Sequence, residues 1–158
     1  MLIFPIMKNK DFVTKNRKAY HDYIFSEEYE AGIALLGTEV KSIRNGQINL
    51  KDSYAKVKNN EVFLVNCHIS PYSHAGVENH EPERVRKLLL TKREIRKIRK
   101  YLEERGNTLV PLRVYINSKG LVKIAMGLGK GKRNYDKRAA LAEKDNKREI
   151  DRLRKENY

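Results

Sequence analysis

Lys41 and Arg44 lie three residues apart, opposite Val40 and Ile43, in Thr38–Arg44. On a helix that spacing sets two cations on one outward face above an apolar one, a rigid platform that faces phosphate. Asn16-Arg17-Lys18-Ala19-Tyr20-His21-Asp22-Tyr23 interleaves cations with rings. Cations neutralise phosphates, and rings such as His21 and Tyr23 stack on unpaired bases. Both patterns point to RNA. The same residues could also serve catalysis. His21 with Asp22 or Glu30 could supply the base and acid of a metal-free ribonuclease, although carboxylates beside a basic surface more often pair with Arg or accept hydrogen bonds from base and ribose. Cys67, His68, His74 and His80 fall within fourteen residues, but no CxxC or HxxxH pair is present. Neither a metal nor a cofactor is expected. Gly127-x-Gly129-x-Gly131 lacks a following GK[ST] and a βαβ setting, and reads as a flexible hinge whose backbone can approach phosphates.

The composition agrees with a polyanionic partner. The 158 residues carry 34 Lys+Arg against 20 Asp+Glu, a formal net charge of +14, with 40% hydrophobic residues for one core. A membrane surface is the other polyanion, but the basic stretches lack a strong stripe of bulky apolar residues, and no run approaches the roughly 20 apolar residues of a spanning helix. MLIFPIM at the start is too short for a signal segment and has no cationic stretch before it. With a single cysteine, Cys67, no intrachain disulfide is possible. No membrane association and a cytoplasmic location are the expectations.

The elements that must position these residues follow in order. Residues 1–15 read as a weakly ordered lead, 16–129 as the folded body and 130–158 as a basic tail. Tyr23–Phe25 and Ala31–Leu36 are strand-like, and Thr38 is expected to cap the short helix that Gly46 closes. Asp52–Val57 and Glu61–Val65 form a hairpin across Lys58-Asn59-Asn60, and residues 66–83 a long polar loop. Thr91 and Glu94 make a capping box, and Ile95, Ile98 and Leu102 share a face of the following helix. Its other face is cationic, a surface for RNA or only for solvent. Thr108–Tyr115 and Leu121–Met126 form a last hairpin. The chain is thus mainly β, a small barrel of the oligonucleotide-binding type with about six strands and two to three helices. From Lys130 onward there are 11 Lys/Arg against 6 Asp/Glu, a net +5, with few bulky apolar residues. Without Gly or Pro between Asp136 and Asn157, this tail is expected to be disordered when free and to become helical on a partner.

Several blocks, in order along nearly the whole chain, resemble the SsrA-binding protein (small protein B) family, bacterial partners of transfer-messenger RNA: Asn16-Arg17-Lys18-Ala19, Glu30-Ala31-Gly32-Ile33, Gly37-Thr38-Glu39-Val40-Lys41-Ser42, Asp52-Ser53-Tyr54, Arg84-x-Arg86-Lys87-Leu88-Leu89-Leu90 and Gly131-Lys132-x-x-x-Asp136-Lys137-Arg138. The sequence departs from the family pattern with Gly129 in place of alanine and with Asn134 in place of leucine. The resemblance implies a barrel that grips the tRNA-like domain of that RNA near its elbow and D-arm, through Asn16, Arg17, Lys18, His21, Glu30, Lys41, Arg44, Arg86, Lys87, Leu89, Lys130 and Lys132. Leu89 has the alternative of plain core. The resemblance further implies that the tail enters the decoding centre and empty mRNA channel of a stalled ribosome, through Tyr135, Asp136, Lys137, Arg138, Lys144, Lys147, Arg148 and Arg152. Elongation factor Tu would be met through the RNA, and no bond would be made or broken by the protein itself. The competing reading is a constitutive ribosomal protein or general RNA chaperone on the same barrel.

Overall fold

The computed structural model describes residues 11–132 and 147–152. Its elements are β1 (Asp11–Lys15), α1 (Arg17–Asp22), β2 (Tyr23–Ile33), α2 (Gly37–Arg44), β3 (Ile48–Asn49), β4 (Tyr54–Lys58), β5 (Glu61–Val65), β6 (His68–Ile69), β7 (Arg86–Leu89), α3 (Lys92–Leu102), β8 (Asn107–Ile116) and β9 (Val122–Gly131). The main sheet is antiparallel, in the order β1-β8-β4-β5-β7-β2-β9, and β9 pairs back onto β8. Six strands therefore close into the expected mainly-β barrel, with β1 attached outside the ring. β8 holds β9 along one edge; its other edge is shared by β4, at Leu109, and β1, from Arg113 to Ile116.

The core is built from alternate residues of these strands, Leu64, Leu88, Leu109, Ile124 and Met126 among them, with Ile43 of α2 and Ile98 of α3. Burying side chains of this size contributes about 1.5–3 kcal/mol each. Thr91 Oγ1 accepts from the Glu94 N–H at 3.2 Å while Glu94 bonds back to the Thr91 N–H at 3.0 Å, so α3 starts on a complete capping box. The β4–β5 turn is made by Asn59 and Asn60, at φ 52° and 60°, the mirror-image turn that suits strand twist.

Several expectations need correction. Residues 11–15 are not loose lead but strand β1, because β8 continues past its contact with β4 and leaves an edge for Asp11–Lys15 to pair with. β2 runs unbroken from Tyr23 to Ile33, since β9 accompanies it all the way to Lys123. Thr38 is not the cap of α2: the helix starts at Gly37, and Glu39 Oε1 accepts from the Leu36 N–H at 2.8 Å. Gly127–Gly131 is not a hinge but the last half of β9, and Phe25 lies across it. A Cβ on Gly127 or on Gly129 would stand 2.7 Å from the Phe25 ring. The body also extends beyond 129, as the Lys132 N–H donates to Asp22 O at 2.9 Å. In the tail, residues 147–152 are helical and exposed, while 133–146 and 153–158 lie outside the described residues. Among the described residues no helix is long and apolar enough to cross a membrane.

Candidate RNA interface

Strand alternation builds the first surface. In β7 the side chains of Arg86 and Leu88 point into the barrel, and those of Lys87 and Leu89 point out. Gly32 of β2 sits between Leu89 of β7 and Lys123 of β9. A Cβ there would lie 3.2 Å from that of Leu89, so glycine keeps the wall open. The result is a groove of about 590 Å³ lined by Glu30, Gly32, Lys87, Leu89, Lys92 and Lys123, among others. Leu89 is 52% exposed, which decides its place: it is surface, not core. Burial, and then a hydrogen bond to Glu30, push the Tyr115 hydroxyl above its ordinary range, and the same bond steadies Glu30. Such a groove can take phosphates on its lysines, a base or ribose hydroxyl on Glu30, and an apolar sugar or base face on Leu89. Lys92 belongs to the cationic face of α3 that the sequence offers to RNA or solvent, whereas Lys123 becomes visible only once β9 is set against Gly32.

A second cluster surrounds α1. Arg17, Lys18 and His21 are exposed. Lys18 Nζ is 2.7 Å from Asp52 Oδ1 across a cleft of about 340 Å³. Lys132 Nζ donates to Tyr20 O at 3.4 Å, and exposed Lys130 stands 4.0 Å from Glu104. His21 Nδ1 is 3.0 Å from Asp22 Oδ1, whereas Glu30 lies about 20 Å further along β2, so His21 and Glu30 do not form a pair. Asn16 departs from expectation. It is buried, its Nδ2 donates to Pro111 O at 2.9 Å and Leu50 O at 3.2 Å, and its Oδ1 accepts from the Ala19 N–H. Both Nδ2 hydrogens and Oδ1 go into capping α1 and clamping it to the barrel, so the side chain is turned into the fold and away from the outer surface.

The third cluster is α2, with Lys41 and Arg44 exposed and Glu39 and Ile43 buried. Arg44 Nη2 donates to Gly120 O at 3.4 Å, and Lys41 Nζ stands 5.4 Å from the centre of the Tyr72 ring. Beneath them Glu39 accepts from Arg84 Nη2 at 2.6 Å and from Arg86 Nε. Burial by itself would raise the Glu39 pKa, but the bonds from Arg84, the Leu36 N–H and Arg86 outweigh it and hold the carboxyl below its ordinary value. Arg86 is fully buried and also donates to Cys67 O at 2.7 Å and Pro82 O at 3.1 Å. Arg86 also departs from expectation: its position in β7 turns it inward, where it ties α2 to the 66–86 segment instead of facing RNA. Burial likewise pushes the Cys67 thiol up to about 12.

Of the expected tail contacts, Lys147, Arg148 and Arg152 are exposed on the helical segment. Tyr135, Asp136, Lys137, Arg138 and Lys144 lie outside the described residues. Among the described residues no group of three or more His, Cys, Asp or Glu could hold a metal ion.

The family model described as SmpB protein matches residues 13–156. The chain belongs to the SmpB family. Similar relatives are the SsrA-binding protein of Syntrophobacter fumaroxidans, 57% identical over 143 residues (90% of this chain, 88% of the relative), and that of Clostridium novyi, 54% identical over 149 residues (94% of each). A solved chain from "tmRNA-SmpB: a journey to the center of the bacterial ribosome" is 46% identical with a TM-score of 0.67, covering 82% of this chain and 94% of its own. The SmpB match takes in the barrel, the groove and most of the tail, so the extra glycine at Gly129 and Asn134 fall within a family framework.

Proposed function

We propose that this chain binds the tRNA-like domain of transfer-messenger RNA and delivers it to stalled ribosomes, so that the nascent peptide is tagged and the ribosome released. The observation that carries this reading is the identity of more than half of the aligned residues, over nine-tenths of the chain, with relatives named SsrA-binding protein. The described surface fits the role. Three outward-facing sets of cations, on β7–β9, α1 and α2, stand on a closed barrel, with Glu30 and Leu89 placed to touch base and ribose. Arg17, Lys18, His21, Lys41, Arg44, Lys87, Lys130 and Lys132 serve the RNA; Asn16 and Arg86 serve the fold. The basic tail orders as a helix in the decoding centre and mRNA channel, where phosphate walls supply its counter-charge. Elongation factor Tu joins through the RNA, the setting is the cytoplasm, and the protein carries out no chemistry of its own.

The test is specificity at physiological salt. Binding to the tRNA-like domain should exceed binding to ordinary tRNA, and should resist added salt better than pure phosphate contacts allow. Equal affinity with an equal salt slope would instead indicate a general RNA chaperone. Lys18→Ala combined with Arg44→Ala should weaken binding while leaving the circular dichroism spectrum unchanged.

A further inference from the structure

We infer that Tyr72 and His74, together with Lys41 of α2, form a stacking site for one unpaired nucleotide of the bound RNA. Resting on the RNA-binding role proposed above, the inference adds a subsite to it. The Tyr72 and His74 rings meet edge to face, 5.4 Å between centres at 70°, and neither belongs to the hydrophobic core. His74 is exposed and Tyr72 half-buried. Rings outside a core on a polar loop would ordinarily be floppy; here the backbone of Tyr72 is held, and the His74 ring rests against the Tyr72 ring. Asn79 Oδ1 accepts from the Tyr72 N–H at 3.1 Å, and Asn79 Nδ2 donates to Tyr72 O at 2.8 Å. Next to it, His80 is buried. Its Nε2 lies 2.8 Å from Ile69 O, which can only accept, so Nε2 carries the proton. Nδ1 then accepts from the Thr38 hydroxyl at 2.9 Å. Thr38 lies in the first turn of α2, the helix that carries Lys41, so the loop and the cation are fixed to the same element.

The chemistry follows from that placement. Lys41 is a flexible ammonium resting over an aromatic face, 5.4 Å from the centre of the Tyr72 ring. An incoming base takes the face, and the ammonium turns to the phosphate of the same nucleotide. Every base has a π-face, so the site tolerates any base but requires an unpaired one.

Titration with the tRNA-like domain RNA, carrying 2-aminopurine at each unpaired position in turn, tests this. Tyr72→Leu removes the ring and keeps apolar bulk. It should bind about tenfold more weakly with the salt slope unchanged, because a ring releases no counterions. Tyr72→Phe should stay within about twofold of the parent, and one 2-aminopurine position should be quenched by the parent and by Tyr72→Phe alone. Lys41→Ala should lower the salt slope by about one ion. His74→Ala, at an exposed position, gives the same reading should Tyr72→Leu fail to fold: weaker binding, an unchanged slope and lost quenching. Folded Tyr72→Leu or His74→Ala protein with parental affinity, and no position quenched, would overturn the stacking site while Leu89→Ala still reports the RNA-binding role. A parent chain that does not prefer the tRNA-like domain at all would bring down that role, and the subsite with it.

Discussion

Glu39 has no exposed surface and meets Arg84, Arg86 and the Leu36 N–H. Removing its carboxylate leaves Arg86 charged and buried without its partner, so Glu39→Ala should cost about 3–5 kcal/mol, read as a shift of the urea midpoint. The pH dependence has a definite sign. A carboxyl held below its unfolded value stabilises the fold fully above that value and loses the contribution as pH falls through the folded one. Urea melts of Glu39→Gln should therefore show a flatter acid limb than the parent. Cys67, with its thiol pushed up to about 12, should ignore a disulfide reagent at neutral pH until urea opens the barrel. Much of this scale was illegible beforehand. Asn16 and Arg86 both sit in basic blocks and read as RNA contacts; both are buried. The run Leu88-Leu89-Leu90 offers no polar alternation to show which residues of β7 turn inward, and Asn16 finds its carbonyl partners 34 and 95 residues away.

Elements with local signals were legible. The Thr91–Glu94 capping box and the Asn59-Asn60 turn need only neighbouring residues, and both are where the spacing puts them. Thr91→Ala should cost about 1 kcal/mol of stability by thermal or urea melting. The second half of β9 was not legible, because alternate glycines look the same in a hinge as in a wall that lies beneath a ring. What distinguishes them is Phe25, more than a hundred residues away and itself held against Tyr20 at 5.6 Å. Gly129→Ala would press its methyl into that ring and should destabilise the barrel by about 1–3 kcal/mol. In a Phe25→Ala background the same change should cost less, and thermal melts of the four proteins give the coupling.

At the scale of the whole molecule, the barrel carries the chain at least as far as Lys132, which is hydrogen-bonded to α1 through both its N–H and its Nζ. A chain cut after Lys132 should bind the tRNA-like domain within about tenfold of the full chain, roughly 1.4 kcal/mol, yet fail to rescue stalled ribosomes in a tagging assay. Loss of both together would assign the tail to the RNA-binding surface. Class and barrel were legible at this scale because turn and strand signals recur along the chain; the closure between β8 and β9 and the seat of β1 were not, since pairing partners leave no mark on local periodicity. Ring closure also bears on the protein's own synthesis. β2 begins at Tyr23 and finds its neighbour only when β9 reaches Gly131, so an emerging polypeptide waits with one flank unzipped until nearly all of it has been made. Contacts between such distant residues form slowly, and a message broken before codon 122 would yield an open shell, fit only for proteolysis.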